Sequence, residues 1–331
     1  MTITLHEIQE YADSAEFRRA LQIPGDRRLT FRLLGQGEYN QNYLFCHPVT
    51  GQKLVLRFNT GSQMHLKDQI GYEYHALELL KNCGRTPKPL YVDHKKQMLV
   101  MEFLPGRPLE YHADLCRAAE CLAAIHAVPV PADCGLLYPG DPLEAQLAEC
   151  REMARYYLEN PSGKETVRER IRRMLKAAAQ QKSGTEPMPR CIINTELNSG
   201  NFLVNSREEW TYLIDWEKPI LGEPAQDLGH FLAPTTTYWK TDVFLTREEK
   251  LEFLREYHAR MEKPVPLEQL VLRTREYETM NCLRGVTWCA MAWGEYQNPN
   301  RSIRNPDTYR KIQEYLSREF LDCIWEEYFT P

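Results

Sequence analysis

NTELNSGN at residues 194–201 and LIDWE at residues 213–217 decide how the rest of this chain is read. The first stretch holds a carboxylate, Glu196, and an amide, Asn201, in a polar run. The second is an apolar run that ends on another carboxylate, Asp215. Hard oxygen donors on two neighbouring loops are the kind of group a small divalent cation takes. A polar turn with capping side chains uses the same residue types. What stands upstream has to separate the two readings.

Composition sets the outer bounds. At 331 residues the chain is long for one hydrophobic core, so two lobes are expected. The hydrophobic share, 43%, and the charged share, 26%, are those of an ordinary soluble globular protein. A net charge of −5 gives no general attraction to nucleic acid or to an anionic membrane surface. The first 17 residues carry acids early and lack the apolar stretch of a signal peptide, and no run approaches the length of a membrane span. A cytoplasmic location is the expectation. Ten scattered cysteines without a C-x-x-C pair read as reduced, buried, small hydrophobes rather than as structural zinc ligands.

Residues 5–22 read as a helical lead-in with a break near Asp13 and Ser14. Three extended stretches follow: RRLTFRLLGQG into YNQNYLFCH, then, across PVTG, QKLVLRFN. DQIGYEYHALELLKNCG, residues 68–84, has helical apolar spacing and a glycine stop. Two more strands flank a turn at His94 and Lys95. This strand-rich first lobe, residues 1–104, ends where Pro105 and Gly106 read as a linker, and residues 105–331 form a mainly helical second lobe. The class is α+β: a small antiparallel sheet with one main helix, joined to a larger helical lobe.

Four features of the first lobe bear on the opening motif. Gly35 and Gly37 lie in a turn between strands, where free N–H groups and close backbone approach suit phosphate, although Gly-x-Gly is also ordinary hairpin chemistry. Arg57 stands in an apolar strand and Glu73 in the helix after it. Protein kinases pair a strand cation with a helix glutamate in this way to hold nucleotide phosphates, and a purely structural ion pair is the alternative. Glu102 and Leu104 fall at the join between lobes, where backbone groups can meet an adenine edge or simply continue a core strand. The interval from Glu196 to Asn201 equals that between base and metal ligand in the kinase catalytic loop, and Asp215 follows where a second metal-binding aspartate belongs.

With these residues in order, the chain resembles the aminoglycoside phosphotransferase and choline kinase family, whose fold is protein-kinase-like and bilobal. The resemblance runs from about residue 28 to residue 320. The family's loop usually reads His-Gly-Asp-Leu-His-x-x-Asn, against NTELNSGN here, and its aspartate strand matches LIDWEKP. GEPAQDLGHF is similar to a family segment whose aspartate, here Asp227, braces the loops, and LRGVTWCAMAWGEYQ resembles a tryptophan-bearing helix of the choline kinase branch. The resemblance implies transfer of the γ-phosphate of ATP (or GTP) to a hydroxyl of a small molecule. Glu196 would be the base, Asn201 and Asp215 would hold Mg2+, and Gly35, Gly37, Arg57, Glu73, Glu102 and Leu104 would bind the nucleotide.

Three departures matter. Glu196 replaces the usual aspartate and is longer by a methylene, about 1.5 Å. Asn194 replaces a histidine, and Arg57 stands where many members have lysine. They support an alternative: a catalytically weakened, kinase-like nucleotide-binding protein acting as sensor or scaffold. A protein kinase is disfavoured by the absence of an Ala-Pro-Glu segment. The acceptor is expected between the Glu196 loop and the helical tail. Tyr277, Trp288, Trp293 and Tyr296, with Glu276, Glu278 and Glu295, could there form an aromatic and acidic cage for an amino alcohol or aminoglycoside-like compound, or could equally be core. Residues 233–242 are a second polar and aromatic stretch placed to line that pocket.

Overall fold

In the computed structural model, which describes residues 3–330 except 38, 63, 182, 183, 185 and 298–304, two short helices open the chain. They are α1 (Leu5–Ala12) and α2 (Ala15–Ala20). Asp13 ends the first, and the hydroxyl of Ser14 accepts the Phe17 N–H to start the second. The expected break is therefore a cap-to-cap junction.

Five strands follow: β1 (Arg32–Gln36), β2 (Asn40–Cys46), β3 (Lys53–Asn59), β4 (Pro89–Asp93) and β5 (Met98–Glu102). They form one antiparallel sheet in the order β1-β2-β3-β5-β4. Side-chain alternation divides β3 between two cores. Leu54 and Leu56 point into a cluster with Tyr43, Phe45 and Val100 that α1 and α2 cap through Ile8 and Phe17. Val55 points the other way, against Ile70, Leu77 and Leu80 of helix α3 (Gln69–Leu80). Arg57 has the parity of Val55, so it too faces α3.

The second lobe is bilobal counterpart to this sheet and is mainly helical. A short strand β6 (Arg107–Pro108) leads into α4 (Tyr111–His126), α5 (Pro142–Leu158) and α6 (Glu165–Gln180). Four more short strands then form two ladders. β7 (Cys191–Ile193) pairs with β10 (Ile220–Gly222), while β8 (Phe202–Asn205) pairs with both β6 and β9 (Trp210–Leu213). Helices α7 (Pro224–Leu232), α8 (Pro234–Thr241), α9 (Arg247–His258), α10 (Leu267–Tyr296), α11 (Pro306–Tyr315) and α12 (Arg318–Tyr328) complete the chain. Gly229 lets α7 lie directly on α10: a Cβ there would come within 2.6 Å of the Tyr277 Cβ and 2.8 Å of the Glu278 nitrogen.

Six of the ten cysteines are buried, but Cys46, Cys116 and Cys323 are exposed, so the reading of all ten as core residues does not hold. Residues 233–242 are largely the helix α8 rather than a loop. Among the described residues, no helix is long and apolar enough to cross a membrane.

Candidate active site

The two ladders of the second lobe hold the two motif loops side by side. The first loop, residues 194–201, joins β7 to β8, and the second, residues 214–219, joins β9 to β10. Ile214 donates its N–H to the Asn201 carbonyl at 2.8 Å, and the Asn194 side chain donates to the Asp215 carbonyl at 2.9 Å. The same Asn194 side chain accepts the Glu196 N–H at 3.0 Å. Asn194 therefore acts as a splint between the loops, a task its carboxamide performs with one donor and one acceptor.

Asp227, at the start of α7 and fully buried, receives the backbone N–H groups of Asn194 and Thr195 at 2.8 and 2.9 Å. His126 of α4 lies 3.3 Å from the same carboxylate and reaches the Tyr257 hydroxyl with its other nitrogen. These bonds hold a strained turn: Thr195 and Asp215 both have a φ of 68°. A left-handed threonine costs of order 1–3 kcal/mol, and such outliers persist where surrounding contacts over-determine them. The family pattern has glycine at the Thr195 position, where the conformation is free.

Arg57 ties the first lobe to these loops. Its Nη1 lies 2.6 Å from Glu73 Oε1 and 3.0 Å from Asp215 Oδ1, while its Nε donates to Asn42 of β2 at 2.9 Å. Arg57 and Glu73 are almost wholly buried, so neither charge would be tolerated without the other. The sequence-level expectation that these two side chains meet is what the geometry shows, with Asp215 as a third member.

The charges around that arginine do not balance. Glu217 lies close enough to Asp215 and Glu73 to feel both, and its burial and the Asp215 charge push its carboxyl up to about 8. Three carboxyl groups thus surround one guanidinium, and among the described residues Glu73 Oε2 has no hydrogen-bond partner. A site short of positive charge fits a divalent cation. Asn201 spends its side-chain NH2 on the Glu196 carbonyl at 2.8 Å, which leaves its amide oxygen able to ligate a cation. One amide and one carboxylate make a cation site only with help from other oxygens. Among the described residues, no cluster of three His, Cys, Asp or Glu side chains converges as a ready-made metal cage. That donor set is the one magnesium uses when phosphates complete its shell.

Gly35 lies in β1 opposite Asn42, and the Gly37 N–H closes the turn onto the Asn40 carbonyl at 2.8 Å. Neither glycine has a positive φ, and a Cβ at either would meet no atom closer than 3.9 Å. The fold itself does not require glycine at these positions. At the join between lobes the Glu102 N–H is taken by the Lys88 carbonyl at 2.9 Å, so only other groups of Glu102 are available to a ligand. Leu104 is buried, and among the described residues its backbone N–H has no protein acceptor.

On the far side of Glu196 the arrangement differs from the one expected. Lys218 places its ammonium 2.5 Å from Glu196 Oε1, and its carbonyl accepts the Thr195 hydroxyl at 2.9 Å. Arg284 of α10 grips Glu149 of α5 through two bonds of 2.9 and 3.1 Å. His230 of α7 lies within electrostatic reach of Arg284 and Lys218, its pKa pushed down to about 4 by burial and by the Arg284 charge. The aromatic and acidic cage does not form. Tyr277 is fully buried and donates to Glu223 at 2.7 Å, Trp293 packs on Tyr157, and Tyr296 stacks on Tyr309. Glu276 and Glu278 are engaged by Arg273 and Lys250 at 2.7 and 2.9 Å. Trp293 and Tyr296 are half-buried, and Trp288, the most open of the four rings at 39% exposure, meets Trp239 in a T-shaped contact.

Residues 30–266 match the sequence model of the phosphotransferase enzyme family. The chain belongs to that family. Solved structures agree on the fold. An ethanolamine kinase from Plasmodium vivax superposes with a TM-score of 0.67 at 13% identity, covering 96% of this chain and 90% of the other. The choline kinase LicA from Streptococcus pneumoniae gives 0.59 at 20% identity, with 96% and 99% covered. A spectinomycin phosphotransferase solved with ADP and spectinomycin gives 0.63 at 16% identity, with 98% of each chain covered. No curated protein sequence matches the chain. This phosphotransferase-family chain thus has the protein-kinase-like bilobal fold of enzymes that phosphorylate amino alcohols and antibiotics. Sequence reasoning missed Lys218, Glu149, His230 and Arg284; Lys218, His230 and Arg284 stand inside quoted motifs, but nothing in the pattern says where their side chains point.

Proposed function

We propose that this protein transfers the γ-phosphate of ATP or GTP, carried as its magnesium complex, to a hydroxyl group of a small molecule. The observation that carries the reading is Arg57, which joins a sheet strand, the α3 carboxylate Glu73 and the loop carboxylate Asp215 at one point. The nucleotide would lie between residues 1–104 and 105–331. The backbone at Gly35 and Gly37, which no side chain of their own crowds, would lie close to its phosphates, and backbone groups of Glu102 and Leu104 to its base. Asn201 and Asp215 would hold magnesium, which when bound offsets charge on the phosphate oxygens. Arg57 orients Asp215 and adds a fixed positive charge. Glu196 would accept the proton of the attacking hydroxyl, with Lys218 fixing the direction of its carboxylate.

Thermal-shift titration with nucleotide and magnesium tests the first half of the reading. Stabilisation should depend on magnesium and vanish in Asp215→Ala; no shift across millimolar nucleotide would sink it. A second reading, nucleotide binding without transfer, is favoured by the engagement of the Glu196 carboxylate by Lys218. ADP release stimulated by an acceptor, scored over alcohols, sugars, nucleosides and aminoglycosides, separates the two.

A further inference from the structure

We infer that the acceptor carries an acidic group, a carboxylate or a phosphate, close to the hydroxyl that is phosphorylated, and that Lys218 and Arg284 recognise it. The inference rests on the proposed function for the location of the site and adds the charge class of what enters it.

Five charged or titratable groups from five elements face this region: Glu196 and Lys218 from the two motif loops, Glu149 from α5, His230 from α7 and Arg284 from α10. They lie within electrostatic reach of one another. Arg284 feels Glu196 as well as its partner Glu149, and His230 feels both Arg284 and Lys218. Both carboxylates are already occupied. An ammonium entering here would have to displace Lys218 from Glu196 or Arg284 from Glu149, and it would meet the charges of Arg284 and Lys218, which add to burial in holding His230 neutral.

Donors, in contrast, are left over. An ammonium has three N–H groups, and Lys218 uses one side-chain bond, to Glu196. Arg284 uses Nε and Nη2, and among the described residues its Nη1 has no protein acceptor. A carboxylate or phosphate can take these spare donors without breaking either pair, and charge-assisted bonds of this kind are the strong ones. Neutral His230 adds a ring nitrogen. Trp288, one helical turn beyond Arg284 and so on the same face of α10, offers a partly open ring to the rest of the molecule.

The experiment measures binding, so it does not depend on turnover. The protein is loaded with magnesium and a non-hydrolysable ATP analogue, then titrated with acceptors of matched skeleton and different charge: glycerate, glycerol and 3-aminopropane-1,2-diol, and glucuronate, glucose and glucosamine. The acids should raise the melting temperature at concentrations about tenfold or more below those the neutral or amine members need. Arg284→Met and Lys218→Met should each abolish that advantage. Arg284→Met strands Glu149, so the double variant Arg284→Met/Glu149→Gln carries the same test with no unpaired charge. Preference for the amine or neutral members, no shift with any member, or an acid preference that survives both cation variants would overturn the inference. Failure of the functional reading looks different, because the analogue and magnesium would then give no shift before any acceptor is added.

Discussion

Lys218 reaches back from the loop after β9 to set its ammonium 2.5 Å from the Glu196 carboxylate, so the longer acid at this position has a fixed partner. That contact decides between two outcomes for shortening the side chain. Glu196→Asp withdraws the carboxylate by about 1.5 Å and breaks its bond to Lys218. A misplacement of about that size costs around a hundredfold in rate. Steady-state ADP release with a saturating acceptor should show such a fall for Glu196→Asp, and a comparable one for Glu196→Gln, which keeps the length and loses the charge. Higher activity in Glu196→Asp would mark glutamate as a weakened base on an unchanged loop, and parental activity in both variants would remove Glu196 from the role of base.

Glu73→Ala leaves Arg57 buried beside Asp215 with one carboxylate partner instead of two. Removing one member of a buried pair costs about 3–5 kcal/mol, and the surviving Asp215 contact should keep the loss near the low end. Urea unfolding measures this. The same variant should weaken magnesium-dependent nucleotide binding, because Asp215 then draws Arg57 away from the sheet face.

Asp227→Asn turns an acceptor of two backbone N–H groups into a side chain with donors of its own. At least one of the Asn194 and Thr195 N–H groups then loses its partner, at about 1–3 kcal/mol for a buried donor. The strained turn at Thr195 should relax with it. Crystal or solution structures of the variant should find Thr195 out of the left-handed region, and a φ still near 68° would show that Asp227 does not hold it.

His230 makes stability depend on pH. Its folded pKa is about 4 against an ordinary 6.5, because burial and the Arg284 charge oppose protonation. Between those values the unfolded chain takes up a proton that the folded chain refuses. The stabilisation is complete above pH 6.5 and is lost as the pH falls towards 4, by at most about 3 kcal/mol. His230→Gln should flatten the difference between unfolding free energies at pH 7 and pH 4.5. Equal pH dependence in the parent and the variant would exclude His230 as the source.

The sheet, α3 and the two motif loops were readable from the chain because each leaves a local signature. Alternation puts Arg57 on the α3 side of β3, and the carboxylate-to-amide spacing singles out residues 196–201. The contacts that shape the acceptor side leave none. Glu149 and Arg284 are 135 positions apart on helices whose patterns say only which face is apolar. Tyr277 and Trp293 misled for a related reason, since helical spacing serves core and pocket equally and here it buries Tyr277 completely. Thr195 was also opaque, because a β-branched residue in the left-handed region contradicts its own propensity.

The clasp across the cleft has a kinetic consequence. Asn40, at the base of the glycine hairpin, donates to Glu217; Gln69 of α3 donates to the Glu217 carbonyl at 2.6 Å, and Tyr72 to the Pro219 carbonyl at 2.7 Å. Three bonds therefore latch the first lobe onto the loop that carries Asp215. On the proposed reading, entry waits for the latch to release, at a rate that nucleotide concentration does not change. In stopped-flow mixing the observed association rate should climb and then level off, and Asn40→Ala should lift that ceiling.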